Sequence, residues 1–389
     1  MTTNMLTSGN PIYAGFLIAA ILLIAVEVWQ ERGRKGIHGL AWWALAGLTF
    51  VNLFGLLYFW VDRIGMNLVP SQSEQSIALL LTHAMHGESL YRAYSDVNPM
   101  TMPPFYHLLS IPFAMLFGAS VGTLRFVSVL GIVASGMLVF RIATEKTGSS
   151  WWGLVGLGLF ATAVGMIDSY MGSASPDPWL LCCVLLGTYL LEREHSESDT
   201  VLGILVLSNS VWFLQSGLFF LIGGLLYLSL NKGWTASAKY WLLGAAFCVI
   251  AWVTAGPLLF GSDFLKLTVL SPLASIDFSI ARLLRYVGYL ASTYPLLALA
   301  GTFLVVVEFV WKQEKFDIWQ IQFVAAALLG ASTTLFYAES SSALTLSSVW
   351  IILVGIQALY RWSTQIAYAQ KLQLHLAALF ASFVVAFRA

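Results

Sequence analysis

Apolar runs long enough to span a bilayer recur along the whole of this 389-residue chain. A transmembrane helix needs about 20 predominantly apolar residues. Inside hydrocarbon, only helices and closed barrels satisfy every backbone polar group. The alternating segments of about ten residues that mark an outer-membrane barrel are absent from the sequence. The chain is therefore read as an all-α polytopic membrane protein. Composition agrees: 59% of residues are hydrophobic and 10% are charged, against about 25% charged in a soluble domain. So little charge also excludes a disordered chain. The 19 basic and 19 acidic residues cancel, which excludes a basic nucleic-acid binder. Cys182, Cys183 and Cys248 fall inside apolar runs and form neither a disulfide framework nor a metal motif.

The runs give about twelve spans, at 12–29, 41–60, 122–140, 151–167, 177–191, 201–214, 216–230, 240–257, 286–310, 318–337, 344–360 and 372–387. The pair 201–214 and 216–230 also reads as one long kinked helix. Met1 to Pro11 carries no basic residue, whereas a cleaved leader needs a positive start, so 12–29 is read as a retained helix. Arg32, Arg34 and Lys35 follow it and place the N-terminus outside by the positive-inside rule. Continuing the alternation puts Arg141, Lys146, Arg193, Lys232, Lys239, Lys312, Lys315, Arg361 and Lys371 inside as well. Arg63, Arg92, Arg125, Lys266, Arg282, Arg285 and Arg388 then lie outside.

Residues 105–118 are apolar but too short to span, with Pro103 and Pro104 before them and Pro112 within. They are read as a helix lying in the outer interface or dipping half-way in, and 75–87 as a similar amphipathic stretch. The chain thus divides into two N-terminal spans within 12–61, a large outer loop at 62–121 and the remaining spans over 122–389. No soluble domain is seen.

Charge near the outer face is scarce, so each such residue is a candidate. Glu74, in Pro-Ser-Gln-Ser-Glu-Gln, suits a general base at the membrane edge. It equally suits a solvated acid at a helix start, with Ser71 or Ser73 as cap. Residues 87–106 combine aromatics and prolines with Glu88, Arg92 and Asp96, a composition suited to carbohydrate or headgroup contact. Asp177, between Pro176 and Pro178, opens a span and also fits plain helix-start chemistry. His83 and His86 share a helix face, and with His107 or Glu88 they make a weak zinc pattern. Arg282 and Arg285 suit a lipid phosphate or simple interfacial anchoring.

The order of these features resembles the GT-C superfamily of membrane glycosyltransferases, in particular the group of protein O-mannosyltransferases and aminoarabinose-type lipid A transferases. The resemblance runs over about 40–230. It rests on Ser73-Glu74, Gly87 to Tyr91, Pro103 to Leu108, Phe117-Gly118 through Arg125 and Ser128, Thr147-Gly148-Ser149 and Ser175-Pro176-Asp177. It implies transfer of a sugar from a polyprenyl-phosphate carrier to a hydroxyl acceptor on a lipid, glycan or protein, at the outer face of a bacterial inner membrane. It implies Glu74 as the base, Asp177 as a residue that orients the acceptor or the base, and Tyr106 and Arg125 as parts of the binding site. Arg92, Asp96, Arg282 and Arg285 then meet the donor. No cofactor is called for, and a divalent metal is left open.

The sequence departs from that pattern in four places. Ser73 stands where the group has an aspartate, and the span at 12–29 is additional. Gln215-Ser216 replaces a lysine that many relatives carry before a late span. The chain also ends at the twelfth span, without an outer soluble domain. Two other readings stand beside the transferase: a non-catalytic membrane subunit of a larger complex, and a transporter. Transporters place polar residues near the midplane, whereas here they gather at the outer face.

Overall fold

A computed structural model describes residues 71–91, 101–148, 150–166, 173–193, 196–274, 276–293, 317–336 and 341–365, with single positions at 47, 302 and 305. The described residues form helices and connecting turns, with no strand among them. The expected spans at 12–29 and 372–387, and all but one residue of 41–60, lie outside these segments, as do Arg92 and Asp96.

The two stretches read as interfacial are helices: α1, Gln72–Met85, and α2, Phe105–Phe117. Ser71 caps α1 through a full capping box. Its hydroxyl accepts from the Glu74 amide, and the Glu74 carboxylate accepts from the Ser71 amide. This satisfies two of the four donors a helix start leaves open.

Then comes α3, Val121–Thr147. It outruns the expected 122–140 by about two turns, because the helix continues until Gly148 ends it in the left-handed region at φ 63°, a conformation glycine takes without strain. The bundle continues with α4 (Ser150–Met166), α5 (Asp177–Arg193), α6 (Glu197–Ser210) and α7 (Gly217–Lys232). The expected pair at 201–214 and 216–230 is therefore two helices, α6 and α7, parted by a turn over 211–216. The helix α8, Trp234–Ile250, runs through a π-helical turn to Phe260. Shorter helical pieces follow, then α9 (Ile280–Thr293), α10 (Ile318–Phe336) and α11 (Ser341–Gln365). The expected span start at 286 falls inside α9, whose first turns carry Arg282 and Arg285.

Three of these helices are long and apolar enough to cross a membrane: α3, α8 with its continuation to Phe260, and α10. Shorter apolar helices lie at Phe105–Phe117, Trp152–Ala161, Gly217–Lys232 and Leu346–Arg361. Four of the twelve expected spans (12–29, 41–60, 286–310 and 372–387) lie wholly or mostly outside the described residues.

The core lies among α3, α5, α6, α7, α10 and α11, with Leu124, Leu181, Phe220, Trp319 and Trp350 fully buried. Helices in hydrocarbon gain nothing from hiding apolar surface, so they associate by close packing through small residues. The contact of α5 with α6 shows this. A Cβ on Gly187 would sit 3.1 Å from the Gly203 carbonyl oxygen, and one on Gly203 would sit 3.1 Å from that of Gly187. Leu242, Val249, Ile250, Val253 and Leu258 on the α8 segment are exposed, as a lipid-facing helix requires.

Candidate functional site

The site forms where α1, α3 and the turn before α5 meet. Glu74 is the third residue of α1, so the capping box that starts the helix also fixes its carboxylate. That carboxylate is turned inward, and the residue is 3% exposed. It meets Arg125, one turn into α3, also 3% exposed. The Arg125 Nε donates to Glu74 Oε1 and Nη2 to Oε2, both at 2.8 Å. This is the two-pronged geometry that makes arginine–carboxylate pairs strong and specific. The Ala174 amide donates to Oε1 at 3.0 Å, and the Ser71 amide to Oε2 at 3.1 Å. One carboxylate therefore ties together α1, α3 and a turn 100 residues away.

Burial alone would push the Glu74 carboxyl up, but hydrogen bonds from Arg125, Ala174 and Ser71, with the Arg125 charge, lower it from 4.5 to about 2. The ionised form is the one these donors favour. This alters the role expected of Glu74. A carboxylate already occupied by four donors, with a proton affinity set near pH 2, is a poor base toward a hydroxyl at neutral pH. Neither sequence reading holds unchanged: Glu74 is a helix-start acid, but a buried one, held as an anion. Ser73 beside it is exposed.

The turn before α5 supplies Asp177, which is 1% exposed. The Ser175 hydroxyl donates to Asp177 Oδ2, and the Asp177 amide donates back to Ser175 Oγ at 3.3 Å. The acid thus closes a small cap at the first turn of α5. Tyr106, on α2, is fully buried. Its hydroxyl lies 2.8 Å from both the Leu124 carbonyl oxygen and Ser128 Oγ. Glu74, Arg125, Tyr106 and Asp177 are thereby gathered at one junction.

The other expected residues lie elsewhere or are otherwise engaged. Arg282 and Arg285 sit on α9, which packs against α10 and α11. The Arg282 guanidinium donates to the Thr334 carbonyl at 3.1 Å and pairs with Asp277 at 2.9 Å. It serves the C-terminal end of α10, a favoured place for a cation, while Arg285 is exposed. The histidines do not converge. His83 Nδ1 meets Glu88 at 2.8 Å, and His86 Nδ1 meets the Thr82 carbonyl at 2.8 Å. Burial lowers His107 to about 4, which keeps its ring neutral. Among the described residues no three His, Cys, Asp or Glu side chains gather to hold a metal.

The pairing has a pH signature. A carboxyl lowered to about 2 from 4.5 stabilises the junction fully above about pH 4.5 and loses that contribution as pH falls toward 2. Pepsin cleavage within 71–91 is expected to rise over that window in the wild type. The Glu74→Gln variant, which has no carboxyl to protonate, should lack this increment. Identical pH profiles for the two proteins would refute the assignment.

No family model and no curated protein matches the sequence. Solved structures do match. ArnT from Cupriavidus metallidurans, bound to undecaprenyl phosphate, superposes with a TM-score of 0.54 at 15% identity, over 82% of this chain and 62% of that one. ArnT from the same organism in the apo state gives 0.53 at 15% identity and the same coverage. The chain has the GT-C fold. It spans 62% of the length of the ArnT chain. In this fold, the junction of α1, α3 and the 173–177 turn joins α1 to the helical bundle.

Proposed function

We propose that this chain transfers a sugar from a polyprenyl-phosphate carrier to a hydroxyl acceptor at the outer membrane face. The observation that carries the reading is the buried Glu74–Arg125 pair, which draws the two outer acidic motifs into one junction on a GT-C scaffold. The solved relative that shares this scaffold holds undecaprenyl phosphate, and this supports a donor of that class. In the step itself, the acceptor oxygen bonds to the anomeric carbon. The bond from that carbon to the phosphate oxygen breaks, polyprenyl phosphate leaves with the electron pair, and the hydroxyl proton passes to the departing phosphate. Glu74, held as an anion near pKa 2, organises this site rather than taking the proton, and Asp177 sets the acceptor side.

One observation favours a second reading, a non-catalytic membrane subunit: position 73 is exposed beside Glu74 and carries a serine, where the resembling enzymes have an aspartate. The test uses the full chain in nanodiscs with a labelled polyprenyl-phosphate sugar and a membrane extract as acceptor. Transfer by the wild type is expected, with Ser73→Asp changing it by less than about tenfold, under 1.4 kcal/mol of barrier. No transfer by the wild type would overturn the first reading. Transfer that appears only in Ser73→Asp would establish the second.

A further inference from the structure

One face of α3 carries Arg125, Ser128, Gly131 and Ser135, at the spacing that stacks residues on one side of a helix. Ser128 is completely buried in the largely apolar middle of α3. A buried hydroxyl needs partners, and Ser128 finds them on the turn before α5. Its Oγ donates to the Ser175 carbonyl at 2.9 Å and accepts from the Ser175 amide at 3.1 Å. One residue earlier, the Ala174 amide goes to Glu74 at 3.0 Å. Two successive amides of the turn are thus held from two different elements.

The contact continues along α3. A Cβ on Gly131 would come within 2.9 Å of the Pro178 Cβ and 3.1 Å of the Pro178 carbonyl carbon, so only glycine lets the turn lie this close. Ser135 Oγ donates to the Pro178 carbonyl at 3.2 Å, and the Trp179 indole donates back to the Val127 carbonyl at 2.9 Å. Residues 174, 175, 178 and 179 are gripped directly, by α3 or by Glu74. Asp177 is the residue carried between the grips.

We infer that Arg125, Ser128, Gly131 and Ser135 form a positioning rail that fixes the 174–179 turn and so aims Asp177, with Ser128 as its central positioning residue. Arg125 acts through Glu74, and Ser128 acts directly on the turn. The inference rests on the transfer reading for its kinetic consequence and on geometry alone for its structural one.

The test compares Ser128→Ala with Ser128→Thr, which keeps the hydroxyl, both in the full chain in nanodiscs. In Ser128→Ala, kcat for sugar transfer is expected to fall at least tenfold while the donor KM stays within twofold, because Ser128 is completely buried. Amide exchange at Ser175 should speed up at least tenfold, with Ala174 unchanged, and Ser128→Thr should restore both. A kcat within twofold of wild type would overturn the inference. So would a kcat loss that tracks a fall in unfolding temperature and is not rescued by Ser128→Thr. If the wild type transfers nothing, the transfer reading fails and the exchange arm decides alone. Ser175 protection lost in Ser128→Ala and kept in Ser128→Thr then supports the rail, and protection equal in both overturns it.

Discussion

Replacing Arg125 with leucine is expected to destabilise the fold by about 3–5 kcal/mol, the cost of removing one partner from a buried ion pair. Glu74 would remain 3% exposed, with only backbone amides and the Ser71 hydroxyl left to hold its charge. The pair itself need not be worth that much. Most of the penalty comes from the stranded anion, so removing the anion as well should return part of it. Glu74→Gln alone keeps one oxygen, enough for the Ala174 or the Ser71 amide but not both, and strands the buried Arg125 cation, so it should also destabilise strongly. The double variant Glu74→Gln/Arg125→Leu should be more stable than Arg125→Leu by about 1–3 kcal/mol, the range of coupling seen between groups in direct contact. Unfolding of the four proteins in the same detergent measures the cycle. An Arg125→Leu variant within about 1 kcal/mol of wild type would show that the junction does not depend on the pair.

How much of this could be read from the sequence follows from the range of each interaction. The helices α1 and α2 were legible because their signals are local: Ser71 three residues before Glu74, and a prolyl pair before an apolar run. The α6–α7 break was ambiguous because hydropathy is continuous across it, and only the turn geometry over 211–216 separates the two helices. Glu74 was picked out as a scarce outer charge, but its partner stands 51 residues away, and no spacing rule links the two. Burial was the missing quantity. A solvated helix-start acid and a buried one have the same local sequence, yet their proton affinities differ because only the buried one has Arg125. Arg282 shows the converse. Its position at the start of a helix suggested a phosphate ligand, while the carbonyl end of α10, distant in sequence, occupies it.

The second large effect is expected at the other end of α3, roughly 30 Å from Arg125 at 1.5 Å per residue. There Lys146 reaches two acids, Glu192 on α5 and Asp317 at the start of α10, the latter at 3.2 Å. The Trp319 indole also donates to Glu192. The Gln357 amide reaches Asp317 at 3.0 Å, and so does the Trp319 backbone amide at 3.0 Å. One ammonium therefore balances two carboxylates where α3, α5, α10 and α11 converge. Lys146→Met would leave two like charges side by side with side-chain exposures of 28% and 16%. Water reaches them better than it reaches Glu74, so the expected cost is smaller, about 2–3 kcal/mol, below the range for a fully buried broken pair. Asp317 has a second duty as the cap of α10, and asparagine performs that duty equally well. Lys146→Met/Asp317→Asn should therefore keep the cap, remove one of the two opposed charges and recover at least half of the loss. A double variant no more stable than Lys146→Met would mean that the lysine contributes through the packing of its stem and not through its charge.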